Sequence, residues 1–268
     1  MSEDQSSQPS TNPGNSQINW QRGIKWFLAE FLVVVVGILV AIGLNGWWTD
    51  RAELAHERYL LLGLQAEFKT NLALFNQTAK LHHETIEQAR QLIELTGPNP
   101  GSIEPSSIEK LLFPLLSEMP SFHPAMGEIE AMLGAGQLGL IRNNQLRAAV
   151  AGWPGALAAL RKTEDEMRAD VIQGFYPYIA ARFPLVTLDF KVGFIDTTGP
   201  SRFPADYAAL LSDVEFENHV ENRWVMAKFI LQDGEPVHRR LTRVLCLIES
   251  ELAGAKVSGV ANNSCNSG

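Results

Sequence analysis

The most apolar stretch of the chain lies close to its N-terminus, between Trp26 and Trp48. It reads WFLAEFLVVVVGILVAIGLNGWW, and no polar side chain occurs from Phe31 to Leu44. As an α-helix rising about 1.5 Å per residue, the stretch would be about 34 Å long, which is enough to cross the hydrocarbon core of a bilayer. The pattern predicts one transmembrane helix over residues 22–50.

Tryptophan residues mark both ends of this stretch, with Trp26 before it and Trp47 and Trp48 after it. We predict that they anchor the helix at the two membrane interfaces, where tryptophan is enriched. A cleaved signal peptide is disfavoured because a long polar tail precedes the apolar run and a poor cleavage site follows it. A buried core helix and a re-entrant or interfacial segment are the remaining alternatives.

A second helical pattern runs from Leu54 to Leu95 and stops at Gly97-Pro98. Its stripe residues recur at spacings of three and four, which is typical of a helix with one buried face. They are Leu61, Leu64, Phe68, Leu72, Phe75, Ala79, His82, Ile86, Ala89 and Ile93. We expect the transmembrane helix to continue into this helix. The stripe should pack either against other helices of the same chain or against a second copy.

Shorter patterns follow, separated by loops that contain Pro and Gly. They predict helices over residues 106–118, 124–136, 145–168, 204–212 and 216–252, and short extended pieces over residues 185–190 and 191–196. Asn143 or Asn144 is a suitable cap for the third of these helices. That helix should bend at Trp153-Pro154, and the last should be interrupted near residues 232–236.

Together these patterns predict an all-α protein in which one N-terminal transmembrane helix leads into a mainly helical antiparallel bundle. The first long helix, the helix over residues 144–168 and the last helix should form the core of the bundle. Residues 51–253 are the predicted soluble domain. Residues 1–21 and 254–268 have little to bury and are predicted to be disordered tails, the first of them cytoplasmic.

The charge balance restricts the partners that we expect. The chain has 30 acidic and 22 basic residues, for a net charge of −8 at pH 7. A general nucleic-acid-binding protein would need a basic face for phosphates, so nucleic acid is not an expected partner. The expected partners are the lipid bilayer and either a second copy of the chain or another helical membrane protein.

The two cysteines, Cys246 and Cys265, are too few for a disulfide framework or a cysteine-built zinc site. Cys246 lies in an apolar helical stretch, where we expect a small core residue. The alternative is a disulfide bond between the two, in an oxidising compartment.

The orientation of the span is predicted from positive charge and from the size of the domain that follows. Arg22 and Lys25 precede the apolar run, although basic residues also follow it. A large domain after a single N-terminal span usually lies outside the cytoplasm. We therefore expect a bacterial inner-membrane protein with its N-terminus in the cytoplasm and its soluble domain in the periplasm.

One face of the predicted span carries small and polar residues. Glu30, Gly37, Ala41 and Asn45 fall within about 80° of one another on an α-helix. Small residues four apart, as at Gly37 and Ala41, allow close contact between membrane helices, and Glu30 and Asn45 could hydrogen-bond across it. This face is the predicted transmembrane interaction face. The alternative is that Glu30 sits at headgroup depth or pairs with a nearby basic residue.

Other candidate groups are explained better by structure than by chemistry. His82 and His83 are adjacent, so on a helix they point about 100° apart and cannot easily share a metal ion. The acidic run at residues 164–166 fits a solvated helix face, and Trp153 fits a core position. We therefore predict no catalytic residue, no cofactor-binding residue and no metal ligand.

Three blocks of sequence together resemble a known family. They are residues 30–47 (EFLVVVVGILVAIGLNGW), residues 131–147 (AMLGAGQLGLIRNNQLR) and residues 216–220 (FENHV). The chain resembles the bacterial single-pass membrane proteins catalogued as domain of unknown function 6090. Gly43 and Gly46 depart from the family pattern, which has amide side chains there. The resemblance implies a membrane-anchored helical domain and supplies no activity, cofactor or catalytic residue.

The small-residue face joined to a long helical stripe favours a non-enzymatic function. We predict a membrane-anchored helical scaffold, sensor or assembly protein. One alternative is a component of an ion-driven membrane machine that uses Glu30, because acids inside a membrane span are functional candidates. The other alternative is a periplasmic enzyme whose site the sequence does not reveal.

Overall fold

The structure is a computed structural model that describes residues 20–102, 104–194, 196, 199–254 and 265. These residues form helices, turns and loops and contain no strand, which confirms the mainly helical fold. The two tails that the sequence predicts to be disordered lie almost entirely outside the described residues.

Nine α-helices and two irregular helical turns follow one another in the described part of the chain. They are α1 (Trp20–Ile93), α2 (Pro105–Ser117), α3 (Gly127–Gly134), a 3-10 turn (Gln137–Leu140), α4 (Asn144–Ala151), α5 (Trp153–Asp170), a π-helical turn (Val171–Phe175), α6 (Tyr176–Arg182), α7 (Leu185–Lys191), α8 (Tyr207–Leu211) and α9 (Val214–Leu252).

The chain divides into two compact units, Met1–Ala55 and His56–Gly268. Helix α1 continues from the first unit into the second, as the sequence predicts. Among the described helices, α1 is the one whose length and apolar composition would allow it to cross a membrane. The second unit contains all the other helices.

In the second unit, α1 and α9 lie side by side and run in opposite directions. Gln65 Nε2 donates to Glu249 Oε1 at 3.4 Å, and farther along α1 the rings of Phe75 and His238 are 5.6 Å apart. Residue numbers therefore rise along α1 where they fall along α9. The antiparallel arrangement agrees with the predicted bundle.

Helix α5 completes the core of the bundle. It is antiparallel to α9, because Thr163 Oγ1 donates to Asp233 Oδ2 at 2.6 Å while the start of α5 lies near Arg240. It is joined to α1 by the rings of Phe68 and Trp153, whose centroids are 5.3 Å apart. The predicted three-helix core is confirmed, with α1 and α5 parallel and α9 antiparallel to both.

Two hydrophobic clusters fill this unit. The first includes Phe68, Trp153 and Leu241, and it joins α1, α3, α4 and α5 to the second half of α9. The second includes Leu92 and Phe216, and it joins the end of α1 to α2, α6, α7, α8 and the start of α9. Each fully buried side chain of this size contributes on the order of 2 kcal/mol. The stripe of α1 therefore packs against helices of its own chain.

Polar side chains of α1 hold the segment around α3. The Glu67 carboxylate accepts hydrogen bonds from the backbone N–H of Glu128 at 2.7 Å and of Ile129 at 3.3 Å. Asn71 exchanges two hydrogen bonds with the backbone of Ala125, at 2.8 and 2.7 Å. Glu67 thus caps the first turn of α3 from another helix, where free N–H groups favour an anion.

Helix α4 begins close to the predicted position, but it ends at Ala151, well before the predicted end near residue 168. Asn143 Oδ1 accepts from the backbone N–H of Gln145 at 2.9 Å and of Leu146 at 3.1 Å, which confirms the predicted cap. The bend that was expected at Trp153-Pro154 is a break at Gly152, between the end of α4 and the start of α5.

The prediction of extended structure over residues 185–190 is wrong, because this segment belongs to α7. Leu185 and Leu188 are three residues apart and both pack into the second cluster, so the same apolar spacing also suits a helix. In the second expected extended piece, Lys191 ends α7 and a turn follows, while Ile195 lies outside the described residues.

Helix α9 runs without the interruption that was expected near residues 232–236. Pro236 removes one helical hydrogen bond, but it lies on the exposed side of the helix. Gly234 is buried against Phe75, and a Cβ at this position would lie 3.0 Å from the Phe75 ring. Buried residues on both sides of the proline, such as Ile230 and Val237, keep the helix on the core.

Candidate functional site

The apolar part of α1 exposes its side chains in all directions. The large apolar residues from Trp26 to Trp48 that are exposed retain between 49% and 70% of their accessible surface, and Val35 is half-buried. A contiguous apolar surface of this size is unfavourable in water. It is typical of a segment that lipid or another protein covers.

The predicted interaction face is exposed as well. Glu30, Gly37, Ala41 and Asn45 all lie at the helix surface. A Cβ added at Gly37 would meet no atom within 4 Å. The structure places these four residues on one exposed face of α1.

The three predicted anchors lie at the ends of this segment. Trp26 and Trp48 are each 70% exposed and Trp47 is 58% exposed. The Arg51 guanidinium lies over the Trp47 ring at 5.8 Å from its centroid, a cation–π arrangement. Indole rings beside a cation at the end of an apolar run are suited to a membrane interface.

The soluble unit contains a buried polar layer, which we define as the buried residues His82, Glu164 and Arg223 together with the half-buried Asp170. His82 is 1% exposed, and neither ring nitrogen has a hydrogen-bond partner. Burial and the positive charge of Arg223 lower the pKa of the His82 imidazole to about 4. His82 is therefore neutral at physiological pH.

Arg223 is fully buried between α9 and the end of α2. Its Nε donates to the Leu115 carbonyl and its Nη2 to the Glu118 carbonyl, both at 3.0 Å, while Nη1 has no partner. Burial lowers the pKa of this guanidinium to about 10, opposed by the carboxylates of Asp170 and Glu118. It remains charged at neutral pH and holds carbonyls that the last turn of α2 leaves free.

Glu164 corrects a prediction. The acidic run at residues 164–166 was expected to be a solvated face, but Glu164 is 2% exposed and accepts a hydrogen bond from the Phe122 N–H at 2.8 Å. Burial raises the pKa of its carboxyl group. Asp170, just before the π-helical turn, has one buried carboxylate oxygen without a partner. The layer is polar throughout and incompletely hydrogen-bonded.

The surface of the soluble unit has a groove between α4 and α9. Arg239, Arg240 and Arg243 line its α9 side, and Asn144 and Gln145 line its α4 side. The described residues that line it include three arginines and no acid. The groove can therefore offer several hydrogen-bond donors with positive charge to a ligand.

The two cysteines border the same groove and form a disulfide bond, with their Cα atoms 5.7 Å apart. Cys246 does pack against the first hydrophobic cluster, as expected for a core residue, but its side chain is half-buried and disulfide-bonded. Cys265 lies beyond the end of α9, and the bond attaches it to Cys246 near the C-terminal end of that helix. The disulfide alternative is the one that the structure contains.

No cluster that could hold a metal ion is assembled in the described part of the chain. No three side chains of His, Cys, Asp or Glu come together there in a way that could hold a metal ion. His82 and His83 point in different directions, since the first is buried and the second is exposed. The arrangement can support binding and assembly, through the span face and through the groove.

Sequence reasoning missed Arg223 and the groove. Arg223 sits in a stripe of α9 whose other members are apolar or small and recur every three or four residues. A charged residue in such a stripe signals a buried charge, and this signal was available. The groove depends on how α4 packs on α9, which the sequence does not specify.

The chain was compared with protein-family models, with curated proteins and with solved structures, and none of them matches it. The resemblance to domain of unknown function 6090 stays a prediction.

Proposed function

We propose that this chain is a membrane-anchored helical scaffold whose span assembles with a second copy of itself. The assembly face consists of Glu30, Gly37, Ala41 and Asn45. The observation that carries the proposal is the exposure of the large apolar side chains of α1 between Trp26 and Trp48. Lipid would cover most of the circumference of this helix, and a second helix could cover one face of it.

The small residues decide which side a partner helix would use. Gly37 and Ala41 let two backbones approach closely, and dispersion contacts between closely packed helices drive association in lipid. Glu30 and Asn45 lie on the same face, where each could pair with its counterpart. An unpaired carboxylate in this position would be costly, so pairing favours the assembled state.

The proposal places the soluble unit in an oxidising compartment, the periplasm of a bacterium. It is supported by the disulfide bond between Cys246 and Cys265, because such bonds persist outside the reducing cytoplasm. With a single span, a periplasmic domain requires the N-terminus in the cytoplasm. Arg22 and Lys25, just before the apolar run, suit that side.

The proposal is tested by the oligomeric state of the full-length protein in lipid nanodiscs, measured by native mass spectrometry and light scattering. Gly37→Leu should shift the protein towards the monomer, because the larger side chain separates the helices. The matched control is Gly43→Leu, since Gly43 lies on the opposite side of the helix, about 200° from the centre of the face. Neither glycine has an atom within 4 Å of an added Cβ.

Glu30 supplies a second comparison. Glu30→Gln keeps hydrogen-bonding capacity and should preserve the oligomer, whereas Glu30→Leu should weaken it. A wild-type protein that is monomeric, or an oligomer that Gly37→Leu and Gly43→Leu affect equally, would refute assembly through this face.

A further inference from the structure

The groove between α4 and α9 gathers three positive charges on a protein that is otherwise acidic. Arg239 and Arg243 are four residues apart on α9, and Arg240 and Arg243 are three apart, so their side chains are neighbours on the helix surface. Like charges at these spacings repel one another. An anion bound between them would relieve that repulsion.

These charges are only partly compensated within the described residues. Arg239 pairs with Glu235 at 2.5 Å, in an exposed contact within one helix that water and salt weaken. No ion pair or side-chain hydrogen bond within the described residues involves Arg240 or Arg243. The charges of two of the three guanidinium groups are thus not compensated by an ion pair within the described residues.

Two residues that line the groove each have a buried polar atom without a partner, and these atoms indicate what a ligand would carry. Arg240 Nη1 is buried without a hydrogen-bond partner, beside the position that a Cβ on Gly152 would occupy. Gln145 Oε1, on the opposite wall, is also buried without a partner. A buried donor favours an oxyanion as its partner, and a buried acceptor favours a hydroxyl group.

We infer that this groove binds a phosphate group that has a hydroxyl group nearby. Arg240 and Arg243 hold the phosphate oxygens, and guanidinium forks match such oxygens in geometry and charge. Gln145 accepts from the hydroxyl group. The inference does not depend on assembly of the span, so each of the two proposals can fail without the other.

Glycerol 3-phosphate combines both groups in one small soluble molecule and is the probe. Its binding is measured by isothermal titration calorimetry at low ionic strength, on full-length protein in phosphatidylcholine nanodiscs. We expect saturable binding to the wild type. Arg240→Gln and Arg243→Gln should each raise the Kd about tenfold or more, because each removes a charge-assisted contact.

Arg202→Gln is the matched control, because Arg202 is an exposed arginine outside the groove. It should leave the Kd unchanged. Arg243 is also exposed, so Arg243→Gln tests the groove without disturbing a buried residue. Absence of saturable binding to the wild type overturns the inference, and so does an equal loss of affinity in Arg202→Gln.

The same phosphate chemistry could come from a free compound or from a lipid headgroup. Repeating the titration in phosphatidylglycerol nanodiscs separates the two sources. A headgroup is the ligand if the apparent Kd of the soluble probe is higher in phosphatidylglycerol than in phosphatidylcholine and Arg243→Gln removes this difference between the two lipids. A Kd that is the same in both lipids assigns it to a soluble phosphate compound.

Discussion

Three buried polar residues, His82, Glu164 and Arg223, occupy stripe positions that their helices otherwise fill with apolar residues. Each lies on a different helix of the core. Polar groups that are buried without full hydrogen bonding cost on the order of 1–3 kcal/mol each. The layer therefore reduces stability in the middle of the bundle, and the protein retains it at that cost.

His82 gives this layer a measurable dependence on pH. Its folded pKa of about 4 lies below the ordinary 6.5, so the unfolded chain binds the proton first as the pH falls. The contribution to the free energy of unfolding is constant above pH 6.5 and decreases between pH 6.5 and about 4. The total loss is about 3 kcal/mol.

We predict that His82→Leu removes this loss. The stability of the variant relative to the wild type should rise by about 3 kcal/mol between pH 7.5 and pH 4, measured by urea unfolding at each pH. Burial raises the pKa of Glu164 and Glu67, which acts in the opposite sense, but these groups are common to both proteins and cancel in the difference.

The control for this prediction is His83→Leu, which removes an exposed imidazole from the adjacent position. If His82→Leu and His83→Leu change the pH dependence equally, the buried layer is not its source.

At the scale of the element, the start of α4 depends on a single side chain. Asn143 caps two backbone N–H groups, and its Nδ2 donates to Glu251 Oε1 at 2.7 Å. Asn143→Ala should lower the free energy of unfolding by about 1 kcal/mol, the usual value for an N-cap. The amides of Gln145 and Leu146 should exchange with deuterium faster.

Asn144→Ala is the companion variant, because Asn144 is the exposed neighbour and caps neither amide. It should change the stability by a few tenths of a kcal/mol at most. An equal effect from the two variants would mean that α4 does not depend on its cap.

The elements that the sequence predicts well are those with long stripes. Apolar residues recur every three or four positions over many turns of α1 and α9, so the sequence predicts a helix for both without ambiguity. The short segment that forms α7 offers seven residues, which fit a strand or a helix equally. Its helix is decided by contacts of Leu188 with distant residues, and these contacts are invisible in the sequence.

The candidate site divides in the same way. The span face follows from spacing alone, because Gly37 and Ala41 are neighbours on any helix. The groove requires Gln145 and Arg240 to face each other across two helices that are far apart in the sequence. The sequence does not decide the disulfide for the same reason, since the distance between Cys246 and Cys265 depends on the path of the chain beyond α9.

For the whole molecule, the disulfide gives the test of compartment. We predict that cells quenched in acid and treated with a maleimide polymer show no labelled wild-type protein until a reductant is added. Cys265→Ser should be labelled without reductant, because it leaves the Cys246 thiol free. Labelling of both cysteines in untreated wild-type cells would place the domain in a reducing compartment and contradict the proposed orientation.

The bond between Cys246 and Cys265 also makes a covalent ring of the C-terminal segment, with a sequence separation of 19 residues. A protease that cuts once inside the ring leaves the two pieces joined through sulfur. The nicked and the intact chain would then migrate together on a gel until a reductant separates them. An affinity tag fused after Gly268 would likewise stay on the domain after such a cut, and would be lost only when the purification buffer contains a reductant.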